Sequence, residues 1–161
     1  MQKLIVGLGN PGEKYKNNRH NVGYIAVDRL LKRNLSKGTI IRKTNVFMNS
    51  SGKDVKKLYT QYHIEIPDLW VIHDDLDIRL GEYKIQRGKG PKLHYGISSI
   101  EDELRETEFW RVRIGVDNRE PGPHFAKASR GEDYVLQDFT DKERKVLDGV
   151  ISEICKKLVK F

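Results

Sequence analysis

Apolar side chains recur along this chain in two alternating forms, short continuous runs and stripes at helical period. Leu4 to Leu8 is an apolar run closed by Gly9-Asn10-Pro11-Gly12, which reads as a central strand ending in a turn. Val22, Tyr24, Ile25, Val27, Leu30 and Leu31 then fall on one helical face, with Asn21 placed to cap it. Thr39 to Arg42 reads as a short strand. Ser50 or Ser51 would cap a helix through Val55, Leu58 and Tyr62, and Pro67 separates it from the strand Leu69-Trp70-Val71-Ile72. His73-Asp74-Asp75 follows at the carboxyl end of that buried strand. Tyr83 to Arg87 reads as another strand, Ile97 to Leu104 as a short helix, and Arg111 to Val116 as a strand with alternating polar and apolar positions. Residues 117–131, rich in Gly, Pro and charge, make a long loop. Thr140 and Glu143 have capping-box spacing ahead of a helix carrying Val146, Leu147, Val150, Ile151, Ile154 and Leu158.

Strands alternating with helices predict an α/β fold, a mostly parallel, mixed twisted sheet with helices on both faces. The length of 161 residues suits a single domain, and no repeat or linker divides residues 1–161. The longest apolar runs are far shorter than the ~20 residues that span a bilayer, so no membrane segment is expected. The N-terminus enters Lys3-Leu4-Ile5-Val6 without a signal-like apolar region, which makes a cytoplasmic setting the expectation. Cys155, the single cysteine, falls within the last helical stripe and reads as a buried structural thiol.

The formal charge is +7, but it is unevenly spread. Residues 1–60 hold 13 basic and 3 acidic side chains, whereas residues 61–120 hold 9 and 13. Within that acidic middle, Lys84, Arg87, Lys89 and Lys92 form a stretch with no acid between Tyr83 and Ile100. Such clustering suits contact with a polyanion, and equally a solvated surface.

Gly7-Leu8-Gly9-Asn10-Pro11-Gly12 matches the glycine pattern of dinucleotide sites, yet the context fails. Pro11 keeps Asn10 out of the helical region, and the polar stretch Glu13 to Arg19 displaces the next helix from the turn. His20 lies in a polar segment at a helix start, where an imidazole can exchange protons. The carboxylates of His73-Asp74-Asp75-Leu76-Asp77 read three ways: a divalent-metal site, an acid that orients a histidine, or a solvated turn. No His/Cys ligand spacing supports a metal, and no G-x-S-x-G elbow supplies a serine nucleophile, so a hydrolase here would activate water.

Taken together, several segments carry a resemblance. Val6 to Gly12 with Tyr15, Arg19-His20-Asn21-Val22-Gly23, Phe47-Met48-Asn49-Ser50-Ser51-Gly52, and His73 to Asp77 with Gly81 resemble the bacterial-type peptidyl-tRNA hydrolase family. Arg111 to Val116, and Tyr134-Val135-Leu136 with Phe139, resemble it in the same order. The resemblance implies a monomeric α/β enzyme of translation that hydrolyses the ester between a peptide and the 3′ end of tRNA without cofactor or metal. By position it implies His20 as the catalytic base and Asp74 as the acid that orients it. It implies Asn10 and Asn49 as groups holding the peptide end and the ester, with Tyr15 and Phe47 beside them. Lys84, Arg87, Lys89 and Arg113 would face tRNA phosphates, adding affinity without base specificity.

Two departures from the family pattern stand out. Only Asn34 to Thr44 occupies a region between the first helix and Phe47 that is longer in the family, and Gly90-Pro91-Lys92-Leu93-His94-Tyr95-Gly96 replaces a loop ending in Gly-His-Asn-Gly. Tyr95 thus stands where the family has a third asparagine that helps place the water. A second reading is a non-catalytic RNA-binding protein on the same fold. The joint retention of His20, Asp74, Asn10 and Asn49 favours the enzyme. A nucleotide-dependent enzyme using the glycine turn and the aspartates is a more distant third.

Overall fold

The computed structural model describes residues 2–120 and 131–161. Five strands form one sheet: β1 (Lys3–Gly7), β2 (Thr39–Lys43), β3 (Leu69–Arg79), β4 (Tyr83–Arg87) and β5 (Trp110–Asp117). Their spatial order is β2-β1-β3-β5-β4, and only β4 runs antiparallel to its neighbour. The helices are α1 (Val22–Leu30), α2 (Ser51–Gln61), α3 (Tyr95–Leu104), α4 (Gly131–Val135) and α5 (Asp141–Lys160).

The period of two along each strand sends alternate side chains into two cores. Ile5, Ile72, Val112 and Ile114 meet residues of α1 and α5, while Leu4, Val6, Leu69 and Val71 meet residues of α2 and α3. Cys155 lies in the first core, where burial pushes its thiol up and away from reactivity. No helix of the described residues is long and apolar enough to cross a membrane.

Several sequence expectations are altered by polar burial. β3 continues through the aspartates to Arg79 instead of ending before them, and Asp74 and Asp75 are buried. β5 is buried on both faces, Arg111 and Arg113 included, although its alternation suggests one wet face. The reason is cover from the segment after β4, whose Gly90 carbonyl accepts a hydrogen bond from the Arg111 guanidinium. Arg111 also donates to Glu101 of α3 at 2.6 Å. The loop expected at 117–131 lies largely outside the described residues, at 121–130.

The expected caps divide. Thr140 Oγ1 accepts from the Glu143 backbone N–H, completing half of the capping box, but the Glu143 carboxylate turns to Arg19. Asn21 and Ser50 stand at the cap positions of α1 and α2 without a side-chain cap bond. The start of α1 lies against the sheet because Gly23 has no side chain: a Cβ there would sit 2.4 Å from the Ile72 carbonyl oxygen. That contact sets the turn before α1 over the carboxyl end of β1 and the middle of β3.

The fully buried Ile154 of α5 tests the first core. Ile154→Ala is expected to lower unfolding free energy by about 2–5 kcal/mol, measured by urea denaturation. Val159→Ala, at a 36% exposed position of the same helix, should cost less than about 1 kcal/mol.

Candidate active site

Midway along β3, two residues past the Ile72 that pairs with the last residue of β1, the buried Asp74 carboxylate is held by two imidazoles. His20, in a short 3-10 turn (Arg19–Asn21), places Nδ1 2.8 Å from Asp74 Oδ2. His94, the residue before α3, places Nε2 2.8 Å from Asp74 Oδ1. The His94 tautomer follows from its other nitrogen, because Nδ1 accepts the Gly96 and Ile97 backbone N–H groups and caps α3. Nε2 therefore carries the hydrogen and donates to Asp74. His20 likewise donates from Nδ1, which leaves its Nε2 as a lone pair.

The electrostatics follow from this arrangement. Burial alone would push Asp74 up, but the two imidazoles outweigh it and hold its carboxyl below the usual carboxylate range. Burial favours a neutral His20, yet the charge and hydrogen bond of Asp74 prevail and raise its pKa. His73 behaves oppositely. Its Nδ1 donates to the Asp74 carbonyl at 2.7 Å, its ring packs edge-on to His94 with centroids 5.1 Å apart, and burial first of all lowers its pKa to about 3.

His20, Asp74 and His94 come close enough together to suggest a metal site. The hydrogen-bond pattern argues otherwise. His94 Nδ1 is spent on the helix start and its Nε2 is protonated, so a cation there would displace the N–H that holds Asp74. The metal reading of the aspartates thus gives way to the histidine-orienting one.

Around this centre runs a rim of contacts. Asn21 does not cap α1; its amide instead brackets Asn10, accepting from the Asn10 N–H and donating to the Asn10 carbonyl, both at 2.9 Å. Asn10 Oδ1 then accepts the Met48 N–H at 2.8 Å, tying the glycine turn to the 3-10 turn (Met48–Ser50) that carries exposed Asn49. Tyr15 and exposed Phe47 meet edge to face, with centroids 6.2 Å apart. Met48 packs against the start of α3, where a Cβ on Gly96 would lie 2.6 Å from its sulfur. Beside it, half-exposed Tyr95 donates to Glu132 of α4 at 2.5 Å. The rim closes through Arg19, whose guanidinium lies 4.2 Å from the Tyr134 ring centre and whose Nη2 donates to both Glu143 carboxylate oxygens, at 2.9 and 2.6 Å.

The basic residues expected to face a polyanion separate. Lys84, Arg87 and Lys89 are exposed on the edge formed by β4 and the turn after it, with Arg87 level with Trp110 at the far end of the sheet. Arg113 departs from the expectation. It is buried, donating to Asp75 at 2.7 Å and to Gln86 at 2.7 Å, because an unpaired Asp75 carboxylate beside the centre would be costly. Burial outweighs even this partner and pushes Asp75 up.

Sequence reading missed His94, Arg19 and Glu132 as parts of this arrangement. A histidine directly before an apolar-periodic helix was the available signal for His94, since a neutral imidazole can cap as Ser or Asp does. Nothing local in the sequence pairs Arg19 with Glu143, 124 positions away.

Comparison with known proteins is consistent across the chain. The sequence profile of the family described as peptidyl-tRNA hydrolase matches residues 4–161. A peptidyl-tRNA hydrolase of Sulfurovum sp. (strain NBC37-1) is 36% identical, covering 97% of this chain and 88% of the relative. That of Pseudothermotoga lettingae is 37% identical, covering 94% and 85%. The crystal structure of peptidyl-tRNA hydrolase from Acinetobacter baumannii superposes with a TM-score of 0.82 at 28% identity, covering 98% of this chain and 86% of that one. A [NiFe] hydrogenase maturation protease from Thermococcus kodakarensis, at 15% identity and a TM-score of 0.54, shares the fold alone.

The Arg19–Glu143 pair is buried on both sides, so removing one partner strands a charge. Arg19→Met is expected to cost about 3–5 kcal/mol of stability by urea denaturation, and adding Glu143→Leu should restore a large part of it.

Proposed function

The chain belongs to the peptidyl-tRNA hydrolase family, and from that premise we propose that it hydrolyses the ester between a peptide and the 3′ ribose of tRNA, with His20 as the base and Asp74 as its orienting acid. The observation that carries the roles is the bond from His20 Nδ1 to Asp74, since it leaves Nε2 unprotonated and ready to accept. Water gives a proton to Nε2 while its oxygen attacks the ester carbonyl. The tetrahedral oxyanion collapses, the ribose oxygen leaves, and the imidazolium returns its proton to that oxygen. Asp74 remains ionised throughout and stabilises the imidazolium.

Asn10 is suited to hold the substrate, because its Oδ1 is fixed by Met48 and its amide hydrogens have no partner among the described residues. Asn49, with Tyr15 and Phe47 beside it, offers a second amide and an apolar surface for the peptide end. His94 acts as a positioning residue through Asp74. Lys84 and Lys89, with Arg87 further along the same edge, supply phosphate contacts that weaken with salt. The reading is completed by a monomeric enzyme in a cytoplasmic setting, where translation supplies its substrate. The family membership and the four-residue set of His20, Asp74, Asn10 and Asn49 favour catalysis over simple RNA binding.

Incubation with N-blocked aminoacyl-tRNA should release free tRNA, and His20→Ala should slow release roughly 10²- to 10⁴-fold. Undiminished release by that variant would overturn the assignment of the base. The pH profile tests Asp74 separately. A protonated Nε2 cannot act, and the His20 pKa is raised, so kcat/KM should fall with decreasing pH through a midpoint above the ordinary 6.5. In Asp74→Asn the burial of His20 persists without the opposing charge, so this midpoint should move down while the maximal rate also falls.

A further inference from the structure

Tyr95 is exposed at the rim, yet its one polar atom is engaged, because the hydroxyl donates to Glu132 at 2.5 Å. What it offers to solvent is therefore the aromatic ring, fixed in orientation by that bond. Leu93, two residues earlier, is also exposed and extends the apolar surface. The segment leading to the ring is basic. From β4 the chain passes Lys89 and Lys92, both exposed, and reaches the rim, with the Lys92 N–H pinned to Asp77 Oδ2 at 2.8 Å. Glu132, the acid nearest the ring, is committed to the phenol.

A cationic track ending in a preoriented aromatic face is the arrangement that binds single-stranded nucleic acid, with lysines on the phosphates and the ring under a base. The neutral amides Asn10 and Asn49 lie elsewhere on the rim, where Tyr15 is already engaged, with Phe47 edge to face and the Lys14 ammonium 4.8 Å from its ring centre. We propose that Tyr95 is a specificity-determining residue on which the 3′-terminal adenine of the tRNA stacks, so that the nucleoside side of the ester is held at α3 and the peptide side at the asparagines. This rests on the hydrolase reading for the identity of the RNA. The stacking itself requires only an unpaired 3′ end. The hydrogen bond to Glu132 reduces the ordering cost by holding the ring before the base arrives.

The test compares equilibrium binding of two RNA hairpins with unpaired 3′ ends, one ending in adenosine and one whose last nucleotide is abasic. Tyr95→Leu is expected to weaken binding of the adenosine hairpin roughly five-fold or more and to leave the abasic one unaffected. Tyr95→Phe, which keeps the face and loses only the tie to Glu132, should recover most of that loss. With N-blocked aminoacyl-tRNA, KM should rise by a similar factor in Tyr95→Leu while kcat moves less. Equal affinity of wild type and Tyr95→Leu for the adenosine hairpin, or an equal loss on both hairpins, overturns the proposal. Failure of the hydrolase reading is distinguishable, since wild-type protein would then release no tRNA whatever the terminal base contributes to binding.

Discussion

The structure is organised around one buried carboxylate. Removing an ion such as Asp74 from water costs several kcal/mol, and that cost is tolerable only where hydrogen-bond donors replace the lost solvent. Two imidazole N–H groups do so here, and each belongs to a different element. His94 can donate only because α3 begins directly after it and occupies its other nitrogen. His20 can donate only because Gly23 lets α1 press its preceding turn onto the end of β1 and the middle of β3. Strand, turn and helix start are thus mutually dependent, and the dependence leaves the outward nitrogen of His20 basic.

The same logic repeats around the centre. Asp75 with Arg113, Glu101 with Arg111, and Glu143 with Arg19 are pairs in which the guanidinium is buried. Pairs of this kind add little net stability over well-packed apolar residues, but each tolerates few alternative geometries. Arg19 also donates to the carbonyls of Gln137 and Asp138, so the residue next to His20 is fixed to the segment before α5 by several directed bonds. Precision at the site therefore comes from charge buried in its surroundings, while stability comes from the two apolar cores behind it.

This explains which features the sequence disclosed. The strands Leu4–Leu8 and Leu69–Ile72, the stripe of α1 and the long stripe of α5 follow apolar periodicity, and all appear close to their expected places. Periodicity fails where interior positions are polar. β3 looked finished at His73 because aspartates ordinarily end a buried strand, and Arg111 and Arg113 looked like a wet face because arginines ordinarily make one. Their burial depends on partners supplied by distant segments, and no local pattern encodes that. His20, Asp74 and Asn10 were legible through motif context. His94 was not, since its importance lies in a tautomer fixed by a helix that starts one residue later.

The division of labour between the two cationic side chains gives the net charge its meaning. Arg19, Arg111 and Arg113, the arginines bordering the centre, are committed to carboxylates, with further guanidinium nitrogens reaching carbonyl oxygens of neighbouring segments or of the Gln86 amide. The surface track beside Tyr95 is carried mostly by Lys84, Lys89 and Lys92, compact charges without directional preference, with Arg87 further along the same edge. Lysine contacts to phosphate position an RNA without reading its bases. On the proposed reading, contacts of that kind hold the RNA backbone whatever its sequence, and discrimination falls to the 3′ end, where the track stops and the fixed aromatic ring begins.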